Sequence, residues 1–195
     1  MSQIEAPVAT VHERLVRAKA ASRSIGRLSG AEKTRVLNAI ADALVDATAR
    51  IVAANGDDLE RGASTGLAVG LLDRLRLDDG RIAALAEAVR EVAVLPDPIG
   101  EVVRGHRSPT GVAIEQVRVP FGVIGAIYEA RPNVTVDIAA IALRSGNAVV
   151  LRGGTAAEAS NAVLVEIMRD TLASHGIDPE AIQTIDEFGR EGARE

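Results

Sequence analysis

The chain has 195 residues, a formal charge of -5 and no cysteine. This excludes a disulfide framework, a thiolate metal site and a nucleophilic thiol, and an acidic chain without a polybasic tract is a poor partner for nucleic acid or an anionic membrane. Hydrophobic residues make up 47% of the chain but aromatics only 2%, so the core is expected to consist of Ala, Val, Leu and Ile, with no aromatic platform for stacking bases.

Apolar residues at spacings of three and four predict helix from Thr10 to about Gly56, with Val11, Leu15, Ala18 and Ser22 on one face and Val36, Leu37, Ile40, Leu44, Ile51 and Val52 on the next. The glycine-containing break at Gly26 to Gly30 divides this stretch into a helical hairpin, and Ser29 with Glu32 forms a capping-box pair that starts the second helix. Asp57 to Gly70 reads as a short helical turn and a loop. Leu71 to Leu77 and Gly80 to Val94 add two more helical segments, which Pro96 and Pro98 end. Glu101 to Arg107 and Val112 to Val119 alternate apolar and polar residues around the turn sequence Ser108-Pro109-Thr110-Gly111, predicting an antiparallel hairpin.

A parallel α/β unit is expected next: a strand over 122–127, a helix from about 133 to 145, a strand over 147–152, a long helix from about 156 to 175, and a short apolar strand over 181–185. Thr155 with Glu158 is a second capping-box pair, placed to start the long helix. The last ten residues, DEFGREGARE, read as a polar tail. Three parallel strands would leave a sheet edge uncovered, so a truncated chain is expected. His12, His106 and His175 lack ligand spacing, so no metal is expected. MSQIEAPVATVHE has no targeting pattern and no run reaches the length of a membrane span, which makes a soluble, cytoplasmic protein the expectation.

The segment Val119 to Gly154 is the richest in chemistry. Glu129, Arg131 and Asn133 follow the carboxyl end of the first parallel strand, where open α/β sheets bind ligands. Arg131 could hold an acidic substrate or a cofactor phosphate, and Asn133 could donate to a developing oxyanion. The alternative is that Asn133 caps the next helix while Arg131 and Glu129 pair with each other. At the end of the second strand, Arg152 could make bidentate contacts with a 2′-phosphate, or be a surface residue at a strand end. Gly153, Gly154 and Thr155 complete this candidate cofactor-binding set, the glycines allowing a ligand close to the backbone. Gly122 and Gly125 do not form a dinucleotide fingerprint. Asp137 faces solvent or pairs with Arg144, and Asp57 and Asp58 read as loop and cap residues.

VPFGVIGAIYEARPNVTVD at 119–137, LRSGNAVVLRGG at 143–154 and Ser160-Asn161 resemble the γ-glutamyl phosphate reductase family within the aldehyde dehydrogenase superfamily. IVAANGDDL at 51–59, GLLDRLRLD at 70–78 and LPDPIGEV at 95–102 add to the likeness, which covers about Val11 to Gln183. The resemblance implies an α/β fold: N-terminal helices over 1–100 packed on a cofactor domain, a β-hairpin of oligomerisation type over 101–119, an incomplete parallel Rossmann-like sheet over 120–185 that binds NADPH, and a polar tail over 186–195, with the catalytic domain absent. The implied reaction is reduction of L-glutamyl 5-phosphate to the semialdehyde in proline biosynthesis, through a thioester on a cysteine that displaces phosphate. This chain has no such cysteine, so catalytic residues are expected to be absent and the chain inactive alone. The alternative expectation is a non-catalytic interaction or regulatory module that associates with itself or with an intact homologue.

Overall fold

The structure, a computed structural model, describes residues 10–192 and 194. Two capping boxes open the chain. Thr10 accepts from the Glu13 amide and Glu13 reaches back to Thr10 at the start of α1 (Val11–Ile25), and Ser29 and Glu32 do the same at α2 (Gly30–Asp46). Each reciprocal pair satisfies amides that a helix start leaves unpaired, and each cap contributes about 1 kcal/mol.

The predicted second helix is two. It breaks at Ala47, whose backbone leaves the helical region, and α3 (Thr48–Ser64) continues to Ser64 through the stretch expected to be a turn and loop. Gly56 weakens a helix interior by only about 1 kcal/mol, and burial of Ile51, Asn55, Asp58 and Gly62 along one face outweighs that cost. Two further helices, α4 (Val69–Leu75) and α5 (Asp79–Val94), fall close to their predicted places.

The strands β1 (Val102–Arg107) and β2 (Ala113–Val117) pair antiparallel, as the turn sequence predicts. Every residue of this ribbon is exposed, including Val102, Val103, Ile114 and Val117. A separate parallel sheet has the order β3 (Val123–Ile127), β4 (Ala148–Arg152), β5 (Ile182–Thr184), with α6 (Pro132–Arg144) and α7 (Glu158–Ser174) as its crossovers. β4 is central, so its run of apolar residues is buried on both faces. Val149 and Leu151 join the main core with Leu143, Leu164 and Met168 of the crossovers, while Val150 joins Val11, Ala18 and Ile185 under α1. Helices α2, α3 and α5 pack on the outer side of α6 and α7.

Two expectations need correction. The Thr155–Glu158 pair does not cap α7: Thr155 begins a single 3-10 turn, and the α7 N-cap, Ala157, has no side-chain cap bond. The start of the predicted polar tail, residues 186–188, packs onto the body. Asp186 is buried, Ile185 and Phe188 pack under α1, and Arg14 of α1 donates to the Thr184 carbonyl at 2.6 Å, pairs with Glu187 and lies 5.6 Å from the Phe188 ring. The targeting-segment reading of residues 1–9 lies outside the described residues, as do Ala193 and Glu195 of the expected tail. Among the described residues no helix is long and apolar enough to cross a membrane, and no acidic or histidine cluster could hold a metal.

Candidate active site

The carboxyl ends of β3 and β4 lie side by side, since Ile127 pairs with Arg152 and the Tyr128 amide donates to the Arg152 carbonyl at 3.0 Å. Beyond them the chain turns through Glu129, Ala130 and Arg131 into α6, and through Gly153 and Gly154 toward α7. These turns and the end of α4 enclose a cleft of about 580 Å³, within the size range of small-ligand sites. Glu129, Arg131, Arg152 and Gly154 line it, with Tyr128 and with Leu67, Leu71 and Arg74 from the far wall. Four of the residues singled out from sequence therefore meet in one place.

The others do not line this cleft. Asn133 sits in the first turn of α6 and donates to Asp137 at 3.3 Å, lining a neighbouring cleft between α5 and α6. It does not cap α6, because the N-cap is Arg131, which makes no side-chain cap bond. The alternative pairing of Arg131 with Glu129 is present at 3.7 Å, between a half-exposed Arg131 and a Glu129 largely open to solvent, where such a contact contributes little. Thr155 is exposed beside the cleft, and Gly153 is buried behind it. Asp137 does not meet Arg144, which is buried and bonds the Gly30 and Leu95 carbonyls and the Thr34 hydroxyl.

Both glycines after Arg152 have internal reasons for being small. A Cβ at Gly153 would lie 2.3 Å from the Asn161 amide, and one at Gly154 would lie 2.6 Å from the Ala130 backbone nitrogen. Contacts this short would force the Asn161 side chain or the Ala130 backbone to shift. The glycines thus let the turn after β4 press against the turn after β3, which brings Arg152 and Arg131 to the same cleft.

Two buried polar networks hold these turns. In the first, the Tyr128 hydroxyl and Thr135 Oγ1 are 2.7 Å apart, and Thr135 Oγ1 donates to Asn161 Oδ1 at 2.7 Å. Asn161 Nδ2 donates to Asp186 at 2.9 Å, and the other Asp186 oxygen accepts from the Gly153 amide at 2.6 Å. Burial pushes the Tyr128 phenol well above its ordinary value, opposed by the Thr135 hydrogen bond and reinforced by the Asp186 carboxylate. In the second, fully buried Asp58 accepts from the Ala159 and Ser160 amides at 3.1 and 2.8 Å and from the Ser160 hydroxyl at 2.6 Å. It also pairs with Arg61. Asn55 bonds the Ser160 hydroxyl and both main-chain groups at the end of α4, the Leu75 carbonyl and the Leu77 amide. Asp58 thus caps α7 from another helix and favours the positive end of its dipole.

Sequence reasoning gave no site role to Tyr128, Arg74, Leu67 or Leu71. Arg74 stands in GLLDRLRLD and Tyr128 in IYEARPN, both quoted for the resemblance, so composition blocks flagged their segments without showing which cleft they face. Ser160, Asn161, Asn55 and Asp58 also belong to such blocks, and their structural role is to fix the walls of the site.

Comparison with known proteins agrees with this architecture. The aldehyde dehydrogenase family model matches residues 2–195, extending past the Val11–Gln183 span of the expected resemblance. A γ-glutamyl phosphate reductase from Kineococcus radiotolerans is 61% identical over 176 residues, covering 90% of this chain and 41% of that protein. One from Thermobifida fusca is 47% identical over 194 residues, 100% of this chain and 46% of that protein. The crystal structure of the γ-glutamyl phosphate reductase from Thermotoga maritima superposes with a TM-score of 0.90 at 36% identity, covering 94% of this chain and 44% of that one. The chain spans less than half the length of these relatives. With the parallel sheet, the adjoining strand ends and the family match over residues 2–195 together, the chain belongs to the aldehyde dehydrogenase family, and the relatives above are γ-glutamyl phosphate reductases.

Proposed function

We propose that this chain forms the cofactor-side half of an NADPH-dependent reductase site for L-glutamyl 5-phosphate, a reaction of proline biosynthesis in the cytoplasm. The observation that carries this reading is the single cleft lined by Glu129, Arg131, Arg152 and Gly154 at adjoining strand ends. Its donor set suits a phosphorylated cofactor: Arg152 offers a planar fork for a 2′-phosphate, and Arg131 offers a second cation for an acyl phosphate or pyrophosphate oxygen. Support also comes from the names of the relatives, which are γ-glutamyl phosphate reductases.

When bound, NADPH would supply a hydride. The residues of this chain would do the positioning. Arg131 and Arg152 would hold anionic groups, Leu67 and Leu71 would offer an apolar wall to the reacting end, and the Tyr128-to-Asp186 chain of hydrogen bonds keeps the floor in place. Asn133, directed toward Asp137, is not aimed at an oxyanion in this arrangement. The sequence contains no cysteine, so these 195 residues are expected to bind and not to turn over.

Titration with NADPH and NADH tests this reading. NADPH is expected to bind more tightly, and Arg152→Ala to weaken NADPH by roughly tenfold or more while leaving NADH nearly unchanged, as befits a charged hydrogen bond of about 1.5–3 kcal/mol. Equal affinities in both proteins would refute it. Turnover of glutamate semialdehyde, phosphate and NADP by the 195-residue chain would refute the expected inactivity.

One observation favours a second role beside the first. The β1–β2 ribbon exposes apolar residues on both faces, as an element that associates with a second copy or with an intact homologue would. A strictly monomeric chain at high concentration, alone and mixed with an intact homologue, would contradict it.

A further inference from the structure

We propose that the cleft between α5 and α6 seats the head group of an α-amino acid, with Asp137 pairing with its ammonium and Arg74 and Arg76 with its carboxylate. The cleft measures about 370 Å³, and Arg81 and Asn133 also line it over an apolar floor. Its charges line one cleft, and Asp137 makes no ion pair with any of its arginines. Asp137 is half-buried, and its only side-chain partner among the described residues is Asn133, at 3.3 Å. Burial pushes its carboxyl upward, opposed only by that hydrogen bond, so a cation placed there would relieve a carboxylate that is costly to ionise.

The arginines differ in their partners. Arg81 is held by the Asp73 carboxylate at 2.8 Å and by the Arg76 carbonyl at 3.0 Å. Arg74 and Arg76 are exposed at the mouth of the cleft and, among the described residues, have no side-chain partner, so both are free to turn toward a carboxylate. A carboxylate and an ammonium on one carbon match this pattern, whereas a simple anion would leave Asp137 opposing it and a simple cation would leave the arginines opposing it.

The identity of the ligand rests on the reading of the neighbouring cleft. Arg74 lines both clefts, so a molecule with its amino-acid head beside Asp137 can extend toward Arg131. Arg131 is the N-cap of α6, and from Pro132 beside it to Asp137 the helix rises about 7.5 Å, a distance that an extended glutamyl chain with an acyl phosphate at its far end can bridge. This assigns the acyl phosphate to the Arg131 side and the α-carbon to the Asp137 side of one continuous site.

Isotope-labelled chain titrated with L-glutamate, glutarate and 4-aminobutyrate tests the assignment, because glutarate lacks the ammonium and 4-aminobutyrate lacks the α-carboxylate. Saturable shifts at the Asp137 carboxyl carbon and the Arg74 and Arg76 guanidinium signals are expected with L-glutamate, with at least tenfold weaker binding of the other two. Asp137→Asn should remove the preference over glutarate, and Arg76→Gln the preference over 4-aminobutyrate. Equal binding of all three, shifts confined to other residues, or no saturation would overturn the proposal. The NADPH titration is separate: if L-glutamate binds as stated and NADPH does not, the cofactor reading fails alone.

Discussion

Replacing Asp58 with alanine should be among the most damaging single changes in this chain, because its carboxylate is fully buried and joins two helices. It would leave the buried Ser160 amide without its acceptor at 2.8 Å, the Ser160 hydroxyl without its acceptor at 2.6 Å, and the Ala159 amide without its acceptor at 3.1 Å. Each buried donor left unpaired costs about 1–3 kcal/mol, but the Ser160 hydroxyl can rotate to another acceptor and the Ala159 amide is only partly enclosed. Loss of a helix cap alone costs about 1 kcal/mol. The half-exposed Arg61 contributes little. Together these give a loss of roughly 3–5 kcal/mol, comparable to breaking a buried ionic contact. Urea unfolding followed by far-ultraviolet circular dichroism should show a lower midpoint with an unchanged slope. The melting temperature should fall by roughly 6–20 °C, at about 2–4 °C per kcal/mol for a domain of this size. Asp58→Asn retains one acceptor oxygen and should cost about half as much, which keeps the test readable if the alanine variant fails to fold. An alanine variant within about 1 kcal/mol of the parent would refute the argument.

Three other predictions follow from contacts at known positions. Burial would raise the Asp97 carboxyl, but the Lys33 ammonium at 2.9 and 3.0 Å, the Ile99 amide and nearby Arg144 hold it below the usual range. Its contribution is present above the unfolded carboxylate value of about 3.9 and lost as pH falls through the lower folded value, so Asp97→Asn should lower stability at neutral pH and flatten the acid limb of the stability profile. Tyr128 is the only tyrosine and its phenol is pushed up by burial. Phenolate absorbance should therefore stay absent in the folded chain above pH of about 10, and stability should fall as pH rises past that unfolded value; phenolate appearing near pH 10 without unfolding would contradict the buried network. Gly154→Ala should destabilise by roughly 1–3 kcal/mol because of the Ala130 backbone, whereas Gly56→Ala, with open space around its Cβ in α3, should stabilise by roughly 0.5–1 kcal/mol; thermal melts of the two variants check both signs.

The sequence made the local features readable. Ser29 and Glu32 lie three residues apart and both of their cap bonds form, and the alternation over 101–119 produces the ribbon as expected. The misreadings share a cause, which is distance along the chain. Thr155 and Glu158 have the spacing of a capping box, yet Asp58, about one hundred residues earlier, takes the cap position on α7. Asp186 sits in a polar stretch that reads as a tail until the Gly153 amide and Asn161 are brought to it across the sheet. Gly56 reads as a stop because a local pattern cannot show that α7 and α4 cover the rest of α3. Of the candidate site, Arg131 and Arg152 were legible as residues at strand ends. Arg74 was not, because its place in the cleft comes from where α4 lies across from the β3–α6 turn.

The central claim is that the joined ends of β3 and β4 form a cofactor cleft, and amide-shift mapping of the labelled chain with NADP tests it most directly. The account predicts saturable shifts concentrated at Tyr128, Ala130, Arg131, Arg152 and Gly154, weaker with NAD, and in Arg152→Ala saturating only at roughly tenfold or more higher NADP, close to the NAD response. Saturable shifts centred elsewhere, or shifts at these residues that do not distinguish NADP from NAD, would contradict it.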